Sequence, residues 1–104
     1  MSKVLENFLR YISYDTQSQE DREEVPSTQK QFRLAEQLAR ELGELGAEEV
    51  RLDDHCYVYA AIPASPGKEG LPPLGFIAHM DTSPAVSGAG VKARIVERYG
   101  GEDI

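Results

Sequence analysis

The chain has 104 residues, enough for one domain with a core of its own and too few for two ordinary domains. Hydrophobic residues make up 40% and charged residues 28%, a soluble globular profile that excludes a disordered tail and a membrane protein. The formal net charge of −7 at pH 7 excludes the basic surface that nucleic-acid binding needs.

No stretch reaches the roughly 18 apolar residues of a membrane span. The N-terminus carries Lys3 and Glu6 within its first turns and lacks a small-residue cleavage site, so it does not read as a secretory signal. Cys56 is the single cysteine and has no partner for an internal disulfide, which fits a reducing compartment. The expected location is the cytoplasm.

Ser2 caps a first predicted helix whose apolar residues Leu5, Phe8, Leu9 and Ile12 recur at helical spacing, ending near Ser13. Residues 14–18, Tyr-Asp-Thr-Gln-Ser, and the charged run 19–24 have no periodicity and read as a solvated loop. A second helix opens at Pro26-Ser27-Thr28, with Thr28 and Gln31 spaced as a capping box and Ser27 as an equally good cap. Phe32, Ala35, Leu38, Ala39, Leu42 and Leu45 form its apolar stripe, opposite Lys30, Arg33, Glu36, Arg40 and Glu44, and Gly46 closes it, with Gly43 as the alternative, earlier stop.

Residues 49–53 alternate polar and apolar, Asp54-His55 turns the chain, and residues 57–62 read as the return strand of a hairpin. His55 and Cys56 are adjacent, and neighbours in an extended segment point to opposite faces, so a thiol–imidazole dyad is not expected. Residues 63–73 are a Pro/Gly-rich surface connection.

The next stretch, residues 74–82, organises the rest of the reading. It is a short apolar run, Leu-Gly-Phe-Ile-Ala, that ends in His79, Asp81 and Thr82, and it reads as a buried strand with polar side chains at its C-terminal end. Open α/β sheets place their active sites there. Residues i and i+2 of a strand share a face, so His79 and Asp81 lie on one side and Met80 on the other. Neutral imidazole is the commonest protein ligand for zinc, and a carboxylate accepting its second ring N–H fixes the tautomer. A regular strand holds the two side chains too far apart for that bond, so the backbone must bend after His79, and Thr82-Ser83-Pro84 supplies a place for the bend.

Beyond it, residues 85–90 are small and flexible, and Gly88 and Gly90 do not make a phosphate loop because no helix start follows. Residues 91–98 read as another strand, broken by Gly100-Gly101.

Several of these pieces go together: Phe8-Leu9-Arg10-Tyr11, Tyr14-Asp15-Thr16-Gln17-Ser18, Ser27-Thr28-Gln29, Asp53-Asp54-His55, Tyr57-Val58-Tyr59-Ala60, and above all the run from Gly75 to Pro84 with its His79-Met80-Asp81 centre. Together with Ser87-Gly88, Val91-Lys92 and residues 100–104, they resemble the N-terminal part of the tripeptide aminopeptidases in the co-catalytic two-zinc peptidase family, which also holds aminoacylases and several carboxypeptidases.

The resemblance implies an α/β fold with two helices packed on a mixed β-sheet, incomplete, residues 1–104 being the N-terminal portion of a metallopeptidase catalytic domain. It implies Zn2+ as cofactor, two ions per complete active site, with His79 as a metal ligand and Asp81 as the catalytic-site residue that orients it. The remaining metal ligands and the general base would lie beyond Ile104. The expected substrate is a tripeptide, cleaved at its N-terminal residue by metal-activated water, and this stretch alone is expected to be inactive. Cys56 stands where such proteins tend to have Gly, Ala85 where a polar residue is usual, and Ala93 where Pro is common. Two other readings compete: a self-contained binding domain without catalysis, and a cysteine hydrolase using Cys56.

Overall fold

The computed structural model describes residues 1–104. Its regular elements are α1 (Lys3–Tyr11), α2 (Gln31–Glu44), β1 (Glu48–Leu52) and β2 (Val58–Ala61). This is a small α/β arrangement, with α2 lying against an antiparallel β1–β2 pair and α1 tied to α2. No helix is long and apolar enough to cross a membrane.

Helix α1 starts where the sequence predicts. Ser2 is extended, and its hydroxyl accepts the Leu5 amide at 3.3 Å, satisfying one of the orphan donors of the first turn. Leu5, Leu9 and Ile12 are half-buried, while Phe8 remains 56% exposed. The helix is held chiefly by its last turn. The Arg10 guanidinium and the Tyr11 hydroxyl both donate to the Glu41 carboxylate on α2, and Gln37 Nε2 donates to the same group at 2.7 Å.

Helix α2 starts later than the capping pattern predicts. The amides of Gln31, Phe32 and Arg33 bond three residues back, to Thr28, Gln29 and Lys30, so residues 28–30 form a tight lead-in turn. The two candidate caps are used elsewhere: Ser27 Oγ accepts the Gln19 amide at 3.0 Å, and Thr28 Oγ1 donates to the Gln17 carbonyl at 2.8 Å. Ala35 of the predicted stripe is fully buried and Phe32, Leu38, Ala39 and Leu42 are half-buried, while Gln31 and Leu34 extend the buried face beyond the stripe and Leu45 at its end is 82% exposed. The charged side is solvated as expected, with Arg33, Glu36, Arg40 and Glu44 exposed. Gly46, at φ +88°, ends the helix in the left-handed conformation, and the Ala47 amide reaches back to the Leu42 carbonyl at 3.0 Å.

The hairpin pairs Arg51 with Tyr59 and Leu52 with Val58, and a bulge between Glu48 and Arg51 puts Glu49 at φ +53°. Asp53 builds the turn. Its carboxylate accepts the amides of His55 (3.0 Å) and Tyr57 (2.9 Å) and the Tyr59 hydroxyl (3.2 Å). Cys56 follows at φ +65° and is buried, a left-handed position where a β-carbon is strained and glycine is the relaxed choice.

Two predicted strands do not form. Residues 74–79 are unpaired, with Phe76 90% and Ile77 101% exposed, so the apolar run is not an interior strand here. Residues 91–98 also lack strand pairing and are exposed throughout. A strand is stabilised by its ladder and by a covered face, and these segments have neither. Apolar content without a neighbour leaves the side chains in water.

Candidate functional site

The polar stretch after α1, read from the sequence as a solvated loop, is a packed strip. Thr16 is 3% exposed. The Thr82 amide donates to the Thr16 carbonyl at 3.0 Å, and the Thr82 carbonyl accepts both the Ser18 amide (2.9 Å) and the Ser18 hydroxyl (2.8 Å). Gln17 and Thr82 thereby form an isolated parallel bridge, and Gln17 Nε2 donates to the Pro84 carbonyl at 3.0 Å. Asp15 shapes the start of the strip: Oδ1 accepts the Gln17 amide at 3.1 Å and Oδ2 pairs with Lys30 Nζ at 2.9 Å. The Lys30 ammonium, followed by the Gln17 amide, holds the Asp15 carboxyl below its ordinary range.

His79 and Asp81 sit immediately before this bridge. His79 Nδ1 lies 2.9 Å from the Asp81 carbonyl oxygen and 3.0 Å from Asp81 Oδ1, with no bend or turn in the backbone at residues 79–81. Two acceptors at Nδ1 favour the tautomer with the proton there, leaving the Nε2 lone pair free. The His79 side chain is 84% exposed, and that of Asp81 is half-exposed. An exposed imidazole held by a carboxylate at one nitrogen is a competent metal ligand at the other. It offers one coordination arm, whereas a catalytic zinc takes about three from protein.

The other histidine belongs to the hairpin turn. Asp53, Asp54 and His55 each present one possible ligand atom within 4.8 Å of the others, with His55 Nδ1 3.1 Å from Asp54 Oδ1. The Asp53 oxygens in this group already serve the turn. His55 and His79 line one open hollow of about 900 Å³, together with Tyr11, Leu38, Tyr59 and Met80.

Cys56 is a poor nucleophile in this setting. Its thiol is pushed up by burial and then by the charges of Asp53 and Glu36, its sulfur lies 4.0 Å from the Met80 sulfur, and no imidazole is bonded to it. Reactive thiols need the reverse, a lowered pKa or a nearby base. The geometry favours a structural thiol.

No family model matches the chain. It is 53% identical over 104 residues to peptidase T of Desulfitobacterium hafniense strain Y51 and 50% identical over 104 residues to peptidase T of Caldanaerobacter subterraneus subsp. tengcongensis, in each case 100% of this chain and 25% of the relative. Peptidase T of Shewanella pealeana is 48% identical over 102 residues, 98% of this chain and 25% of that protein. The chain thus spans about a quarter of the length of the curated relatives it matches. Sequence from end to end therefore makes it a part-length relative of the peptidase T proteins.

Proposed function

We propose that residues 1–104 are a portion of the catalytic domain of a zinc-dependent aminopeptidase that releases the N-terminal residue of tripeptides. The observation that carries this reading is the 3.0 Å contact between His79 Nδ1 and Asp81 Oδ1, which fixes the ring and frees Nε2. The name peptidase T on relatives matched along the whole chain supports a peptidase and a peptide substrate.

Each residue has a distinct task in this reading. His79 supplies one metal ligand through Nε2. Asp81 holds the Nδ1 proton, keeps the ring from rotating and raises its basicity. The strip at Thr16–Ser18 holds the backbone beside them. A bound zinc ion supplies a lowered pKa for water and polarisation of the scissile carbonyl. With one arm present here, the other ligands and the proton acceptor are assigned to the length that the relatives have beyond the matched quarter.

Two experiments test the reading. The purified chain, incubated with a tripeptide and added zinc, is expected to show no turnover, and turnover above the metal-only blank that disappears in His79→Ala would refute the assignment of the missing ligands. Substituted for the matching quarter of the Desulfitobacterium hafniense peptidase T, the chain is expected to support chelator-sensitive tripeptide cleavage. In that chimera His79→Ala abolishes cleavage and Asp81→Ala lowers metal affinity or activity by about 10–100-fold. Activity retained in His79→Ala overturns the proposal.

A further inference from the structure

The clearest unabsorbed feature is the effort spent on one peptide unit. The Asp81–Thr82 peptide is planar and trans, so its N–H and C=O point in opposite directions and cannot be aimed independently. Its N–H donates to the Thr16 carbonyl at 3.0 Å, and its C=O lies 2.9 Å from His79 Nδ1. Whatever fixes the first direction fixes the second.

We propose that Asp15, Thr16 and Gly88 are positioning residues for the His79–Asp81 pair, acting through the plane of the Asp81–Thr82 peptide. The inference rests on the reading of His79 as ligand and Asp81 as its orienting carboxylate. Thr16 supplies the carbonyl that sets the plane, and its burial leaves the strip little room to shift. Ser18 locks the following carbonyl with two donors, so both backbone groups of Thr82 are engaged. Asp15 sets the course of the strip through the Gln17 amide and is itself held by Lys30.

Gly88 is the closing piece. It is buried, and a β-carbon built on it would stand 2.8 Å from Asp15 Oδ1, 3.1 Å from Thr82 Oγ1 and 3.3 Å from the Gln17 nitrogen. Its backbone is not left-handed, so the requirement for glycine comes from space alone. The carboxylate it would strike is pinned on both oxygens and cannot swing aside without releasing Gln17 or Lys30. A methyl group at this position disturbs the strip and Thr82 together.

The test reads the His79 tautomer directly, by long-range 1H–15N correlation spectra of the 104-residue chain without metal. Spectra are taken where adding further base no longer changes the tautomer ratio. The wild type is expected to hold the proton on Nδ1. Gly88→Ala and Asp15→Ala are each expected to shift the tautomer ratio toward Nε2–H by about fivefold, the equivalent of one ordinary hydrogen bond. Asp15→Asn keeps an oxygen for the Gln17 amide and is expected to stay close to wild type. The double variant Gly88→Ala with Asp15→Ala is expected to shift by less than the sum of the two single variants, because the contact with Asp15 is then gone while those with Thr82 Oγ1 and the Gln17 nitrogen remain.

Asp81→Ala separates this inference from the reading beneath it. If Asp81→Ala leaves the ratio unchanged, the reading of the Asp81 carboxylate as the group that orients His79 is wrong, since the substitution removes Oδ1 and keeps the backbone carbonyl. If Asp81→Ala shifts the ratio while Gly88→Ala and Asp15→Ala do not, the pairing stands and the positioning role is overturned. Helical circular dichroism is recorded alongside, and should Gly88→Ala lose the helices, the contrast between Asp15→Ala and Asp15→Asn decides on the same criterion.

Discussion

Residues 1–62 and residues 63–104 are built on different principles. The first stretch contains both helices and the only β-ladder, and its elements carry their own hydrogen bonds. The second contains no regular element, yet one point in it, Thr82, is bonded through its amide and its carbonyl to the strip after α1. His79 and Asp81 lie just before that point. Order in the second stretch is thus lent by the first, and it is concentrated where the candidate chemistry lies.

The largest expected break in this contrast comes from the buried face of α2. Leu34 is 6% exposed, and Leu34→Ala is expected to cost about 2–3 kcal/mol in chemical denaturation followed by helical circular dichroism. A cost under about 0.5 kcal/mol, the level of a surface change, would show that α2 and the hairpin share no common core.

A smaller effect is expected from acid. Burial pushes the Glu41 carboxyl up, but the donors Tyr11, Gln37 and Arg10 outweigh it and hold the group below its ordinary value of 4.5. A folded-state pKa below the unfolded one contributes stability above the unfolded value, and that stability is lost as pH falls through the folded one. The tie between α1 and α2 is therefore expected to loosen below about pH 4.5, read as faster amide exchange in α1. Glu41→Gln should abolish that pH step. A step of the same size in Glu41→Gln would assign it to another carboxylate.

The smallest effect is expected in the second stretch. Phe76 is 90% exposed, so Phe76→Ser should change stability by less than about 0.5 kcal/mol. It should also lower concentration-dependent association, measured by sedimentation, since exposed apolar runs favour self-contact. A loss of stability comparable to that of Leu34→Ala would mean that residues 74–79 are covered in solution.

Local signals in the sequence were sufficient for α1, the C-terminal end of α2 and the hairpin. Ser2, the period of Leu5, Leu9 and Ile12, and Gly46 specify helix ends because caps and periodicity act within a turn or two. The hairpin was legible for the same reason, and Cys56, which stands where the resembling proteins tend to have Gly, has a left-handed φ. The spacing of His79 and Asp81 was readable, but the bend it called for is absent at residues 79–81, where the two side chains meet without one. The start of α2 was misread because Ser27 and Thr28 spend their hydroxyls on Gln19 and Gln17, partners no local pattern reveals. The strip was missed because Asp15, Thr16, Gln17 and Ser18 look like surface: Thr16 alone is buried, and the bonds that hold Thr16, Gln17 and Ser18 run to a backbone more than sixty residues away. Residues 74–79 and 91–98 were misread in the opposite sense: β-propensity was present, but a strand needs a neighbour.

The Asp53 turn has one more consequence. Three donors already occupy that carboxylate, and they keep it ionised in spite of the burial that works against charge. The three residues come within 4.8 Å of one another because the turn gathers them, and the Asp53 oxygens are spent on the backbone that does the gathering. What looks like an ionic cluster is thus the fastener of the hairpin.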